Sequence, residues 1–171
     1  MLLIADHMPF AGAAEKLGAA FGLKFTNGYV RDETSGPDVF QRTDDSLRNH
    51  SITKGRNAAE KVEAVATFTG SAFQVPNAQP LLVLGASYVS WRTSTAGQFT
   101  PTPPRESVSG WLQGAALQSG KGRVVVFGEA AMFSAQLAGP NRNLMGMNAP
   151  LAKQNYQLLL NVMHWLSGLL S

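Results

Sequence analysis

An α/β fold, with a mixed but mostly parallel sheet flanked by helices, is what three features of this 171-residue chain predict. Continuous apolar runs at Leu2-Leu3-Ile4-Ala5, Leu81-Leu82-Val83-Leu84 and Val124-Val125-Val126-Phe127 have the composition of strands covered on both faces. Such strands belong mostly to parallel sheets sandwiched by helices. The first run passes directly into a helical pattern, making a strand-helix unit, and a second helical pattern closes the chain.

In chain order, residues 2–5 are the first strand. Pro9 suits a first helical turn, and Phe10, Ala13, Ala14, Leu17 and Phe21 recur at helical spacing until Gly22. Residues 23–26 form a second strand, closed by the Asn27-Gly28 turn signal. From residue 29 to about 56, Asp, Ser, Thr, Gly and Asn dominate, which predicts a long surface excursion of the kind that often serves as a lid or binding loop. Residues 57–63 suit a short helix, residues 65–68 a strand ending at Gly70-Ser71, and residues 81–84 a buried strand. The Thr-, Pro- and Ser-rich stretch 93–109 is expected as an exposed loop. Residues 111–117 and 123–127 flank Gln118-Ser119-Gly120-Lys121-Gly122 and read as an antiparallel hairpin. A short helix is expected over 130–137. The last helix is expected to start at Asn148-Ala149-Pro150, with Tyr156, Leu159, Leu160, Met163 and Leu166 as one broad apolar face.

Composition narrows the function classes. With 44% hydrophobic and 15% charged residues there is material for a single domain, residues 1–171, around one core. The 14 basic and 11 acidic side chains give a formal charge of +3, but the bases are interspersed with acids, so no nucleic-acid partner is expected. The chain has no Cys, which excludes disulfides, thiolate nucleophiles and Cys-based metal sites. Neither terminal apolar stretch has the length or flanks of a signal peptide or membrane span, so a cytoplasmic product with no membrane contact is expected.

Three stretches, "LLIADHMPFAGAAEKLGAAFG", "GRVVVFGEAAMFSAQL" and "NAPLAKQNYQLLLNVMHWLSGLL", together resemble the carboxy-terminal two-thirds of a group of class I glutamine amidotransferase-like domains, related to trehalose-utilisation-protein-like and gliding-protein-type members. The resemblance implies a Rossmann-like, flavodoxin-like layered sheet, shortened here by the strand-helix units that precede the first strand in that group. It further implies that the strand at residues 2–5 lies near an uncovered edge, which favours a homodimer through that region over a cover supplied by the 31–51 loop. Amidotransferases of this type use a Cys nucleophile; with none in the chain, that glutaminase chemistry is ruled out.

In open α/β sheets, ligands collect at the carboxyl ends of strands. Four groups fall there on this reading. Asp6 and His7 suit a general acid/base pair or two ligands of a hydrolytic metal, or a helix cap. Asn27, Tyr29 and Arg31 follow the second strand, and Ser87 follows the 81–84 strand in Gly85-Ala86-Ser87-Tyr88-Val89, which lacks the closing Gly of a nucleophile elbow. Glu129 suits a general base or a ligand for a hydroxyl group, or a carboxylate placed at a positive helix end. Asp6 and Glu129 make a carboxylate pair if their strands are neighbours. His50 reads as a loop or cap residue, His164 as a packed helix residue, and Trp91, Phe99 and Trp111 as loop anchors. The expectation is a module that binds a small polar ligand or a protein, with no cofactor assigned. The alternative is a small hydrolase using Asp6, His7 and Glu129, with or without a divalent metal.

Overall fold

The computed structural model describes residues 1–34 and 38–171. In chain order its elements are β1 (Leu2–Ile4), α1 (Phe10–Ala13), α2 (Glu15–Ala19), β2 (Lys24–Phe25), β3 (Tyr29–Asp32), β4 (Val39–Gln41), α3 (Ser51–Lys54), β5 (Ala64–Ala66) and β6 (Phe73–Gln74). They continue with β7 (Gln79–Val83), β8 (Tyr88–Trp91), β9 (Arg105–Ser107), β10 (Leu112–Ser119), β11 (Gly122–Phe127), β12 (Ala135–Ala138), β13 (Asn143–Gly146) and α4 (Asn155–Leu166).

This corrects the expected layered, flavodoxin-like α/β fold. Strands hold 31% of the chain and helices only 20%, and the strands form one curled mixed sheet plus several small antiparallel ones. The main sheet runs β1-β11-β10-β6-β2, with β7 also paired to β10. Among its described pairings only β1 with β11 is parallel. The reason is connectivity. A parallel pair needs a crossover of a dozen or more residues, usually a helix, whereas β10 returns directly into β11 through a turn at Gly120, whose φ of 58° glycine adopts without a Cβ clash.

The two-sided burial inferred from the apolar runs is present at residues 124–127, while Ile4 of the first run is exposed, and helices do not supply most of it. Val125 and Phe127 face a core cluster that includes Phe40, Leu47, Ile52, Leu81 and Val162. Val124 and Val126 face the other way, onto Leu3, Phe73, Ala115 and Leu117. Much of the first cluster comes from the segment expected to be a surface excursion. Val30, Phe40, Leu47 and Ile52 are fully buried there, on β3, β4, the segment leading into α3 and α3 itself. Strands of three or four residues present too few positions for a periodic pattern to stand out from a polar background.

Three helix expectations are also corrected. The 10–21 helix is broken at Ala14 into α1 and α2, and the Gly12 N–H is taken by the Asn27 side chain at 2.9 Å. The 130–137 helix is a 3-10 turn, Ala131–Phe133, followed by the β12–β13 hairpin. Most of the apolar face assigned to the last helix is turned outward, although Leu166 packs against the core. Tyr156, Leu160 and Met163 are exposed, while α4 buries Asn155, Leu158, Asn161, Val162 and Trp165. The two asparagines face inward because buried backbone groups there need partners. Asn155 accepts from the Ala66 N–H at 3.0 Å and donates to the Ala66 and Met132 carbonyls at 2.8 and 3.0 Å. Asn161 donates to the carbonyls of Ile52 and Glu60, each at 2.8 Å.

Candidate functional site

Asp6 lies two residues beyond β1 and Glu129 two beyond β11. These strands are parallel neighbours in the register Ile4 opposite Phe127, and the Ala5 N–H extends the ladder to the Phe127 carbonyl at 2.8 Å. Their chains therefore emerge at the same end of the sheet, and the condition for a carboxyl pair is met. Asp6, His7 and Glu129 line one cavity of about 120 Å³, together with Phe68, Thr69, Ala131, Gln136 and Met145.

Glu129 is 1% exposed, although it carries an ionisable group. Its carboxyl oxygens accept from the N–H groups of Ala131 at 2.8 Å and Met132 at 2.7 Å, which open the 3-10 turn. This is the geometry of the carboxylate-at-a-turn-start alternative. Burial is the main influence on its titration, with the charges of Asp6 and Asp38 acting in the same direction and the two backbone N–H bonds opposing. The carboxyl is pushed up to about 8 from its ordinary 4.5. The backbone at Gly70 packs directly on this side chain: a Cβ there would stand 2.6 Å from the Glu129 Cβ, and Gly70 also has a φ of 66°.

Asp6 does not cap a helix. Its Oδ1 accepts from the His7 N–H at 2.7 Å, and α1 has Pro9 at its N-cap position with no side-chain cap. The His7 Nδ1 lies 2.8 Å from the Met8 carbonyl oxygen, so Nδ1 carries a proton and donates it there. The His7 ring stacks on Tyr29, with centroids 4.6 Å apart and planes 20° from parallel. The Tyr29 hydroxyl donates to the same Met8 carbonyl at 3.0 Å and accepts from the Gly97 N–H at 2.7 Å. Tyr29 thus fixes His7 from behind and does not itself line the cavity.

The other three expected ligand-binding residues lie elsewhere. Asn27 has a φ of 45° and uses its Oδ1 to hold α1. The Arg31 guanidinium sits over the Trp91 ring at 5.7 Å. Ser87 lines a second cavity of about 570 Å³ with Asp32, Asp44, Ser46 and Tyr88. The aspartates of that cavity serve their own turns, accepting from the N–H groups of Thr34 and Ser46, each at 2.9 Å. His50 is the N-cap of α3, where its Nδ1 accepts from the Ile52 N–H at 3.1 Å. Phe99 packs edge-on to both Tyr29 and Trp91.

Thr69 and Gln136 were not legible as site residues. Thr69 precedes the Gly70-Ser71 turn, which marks a close backbone approach without saying to what, and Gln136 carried no signal because its segment read as helix. Among the described residues, no group of three His, Asp or Glu side chains is placed to hold a metal ion. No helix among them is long and apolar enough to cross a membrane. The chain matches no protein-family model, no curated protein and no solved structure.

Proposed function

We propose that this protein is a binding module for a small polar ligand, seated in the cavity between Asp6, His7 and Glu129. The observation that supports this reading is the convergence of polar side chains from four separate chain segments, around residues 6–7, 69, 129 and 136, on one small cavity. The Glu129 carboxyl is buried there with its titration shifted, and perturbed ionisable groups in cavities cluster at functional sites. The reading does not depend on the amidotransferase-like resemblance, and it carries no glutaminase activity. A cytoplasmic location belongs to the same proposal.

Hydrolysis at the same three residues is the second reading. It is favoured by a carboxyl held protonated beside the Asp6 carboxylate, the division of roles that acid–base chemistry uses. It is weakened because both Glu129 oxygens and the His7 Nδ1 already serve backbone groups.

The test is a ligand screen read by NMR chemical shifts, with the wild type and the Asp6→Asn and Glu129→Gln variants against sugars, amides, amines, carboxylates and nucleotides. Shifts confined to residues around the cavity, weakened in both variants, are expected. Shifts elsewhere, or binding indifferent to both substitutions, overturn the reading.

A further inference from the structure

Resting on that reading of the cavity, we infer that its ligand is a small organic cation, a primary ammonium or similar group that brings hydrogen-bond donors. The argument is an account of donors and acceptors in the lining. Three lining side chains each give a donor to a partner inside the protein, which leaves the second Gln136 amide N–H and the proton held on Glu129. The His7 Nδ1–H serves the Met8 carbonyl, the Thr69 hydroxyl donates to the Phe68 carbonyl, and the Gln136 amide donates to the Ser134 Oγ at 2.6 Å. Acceptors outnumber the donors that remain: the second Asp6 oxygen, the Nε2 of a neutral His7 ring, the Gln136 Oε1 and, once ionised, the Glu129 carboxylate through its further lone pairs. Immediately behind Thr69, the buried Gln113 donates to the Thr69 carbonyl at 2.8 Å. Its own Oε1 has no partner among the described residues.

Charge points the same way. The lining holds two carboxyl groups and no Lys or Arg, and Asp38, at the start of β4, adds to the negative field on Glu129. A carboxylate or phosphate ligand would meet acceptors and like charge. A neutral ligand would leave Glu129 protonated and draw no charge-assisted bond from it. An ammonium supplies three donors and one positive charge, which answers both. Size sets the limit: 120 Å³ is room for about four waters at roughly 30 Å³ each, hence a group of a few non-hydrogen atoms.

Cation binding favours the ionised form of Glu129 and so releases a proton in the range where that group titrates. The titratable groups facing it are Asp6 and His7 from the segment after β1 and Asp38 from the segment before β4.

The experiment titrates ethylammonium, acetamide and acetate separately into the wild-type protein, followed by NMR from about pH 6 to about pH 9. Ethylammonium is expected to bind at least about tenfold tighter than either of the others, because charge-assisted bonds are the stronger ones. Its affinity should rise with pH by up to about tenfold per unit below the Glu129 titration range, and this rise should vanish in Glu129→Gln. Gln136 is exposed, so Gln136→Lys should fold and place its own ammonium in the cavity, abolishing ethylammonium binding. If acetate or acetamide binds as well as ethylammonium, and Asp6→Asn weakens it, the cation inference is overturned while the cavity remains a ligand site. If none of the three binds, or Gln136→Lys binds ethylammonium like the wild type, the inference falls. Silence across the broader ligand screen would remove the binding-module reading as well.

Discussion

Glu129 concentrates the functional and the structural argument in a single side chain. Its folded-state titration lies above its ordinary value, so the stability contributed by the protonated form is complete below about 4.5 and is lost as pH rises through about 8. His50 acts in the opposite sense: burial, followed by the charge of Lys54, lowers its titration against a hydrogen bond that it donates to Gln79, so its contribution is lost as pH falls. Comparing wild type with Glu129→Gln isolates the first effect. Between about pH 5 and about pH 9 the stability gap should shrink by a few kcal/mol, read from thermal unfolding at each pH. At the acid end the variant should be the less stable by about 1–3 kcal/mol, because an amide cannot accept from both the Ala131 and Met132 N–H groups with separate oxygens. A gap that is constant with pH would mean that Glu129 titrates normally in the folded protein.

At the scale of the element, α4 shows how a hydrophobic pattern can be sound and its direction still wrong. Tyr156, Leu160 and Met163 share a helical stripe, yet that stripe faces out, and the inward stripe carries Asn155 and Asn161. The asparagines win because the carbonyls of Ile52, Glu60, Ala66 and Met132 end inside the molecule and must be satisfied. Asn161→Ala should therefore cost about 2–3 kcal/mol by leaving two carbonyls without a donor, whereas Leu160→Lys should stay within about 0.5 kcal/mol of wild type. Chemical denaturation of the two variants checks both. The hairpin of β10 and β11, by contrast, was readable, because its turn residues and apolar run are local.

Assembly is decided at the scale of the whole molecule. β1 closes one end of the main sheet, paired on one side to β11, with Met1 45% and Ile4 37% exposed. The expected homodimer through this strand is retained as a proposal, and alternation along the strand selects its test. Leu3 faces inward onto Phe73 and Val126, so Leu3→Lys disrupts the core and reports on folding. Ile4→Lys keeps the core and places a charge on the open side. Sedimentation should show a dimeric wild type and a folded, monomeric Ile4→Lys; a monomeric wild type removes the dimer.

The sequence by itself determined the two-sided burial of the apolar run at 124–127, the β10–β11 hairpin and the positions of Asp6, His7 and Glu129 just beyond strand ends, since each depends on residues adjacent in the chain. Only the tertiary structure decided that β1 and β11 lie side by side, although more than a hundred residues separate them. Strand pairing over that distance is set by how the whole core closes. The same closure took Val30, Phe40, Leu47 and Ile52 into the core from a polar stretch and brought Thr69 and Gln136 to the cavity, because a buried position is defined by what folds over it and not by its neighbours in the chain.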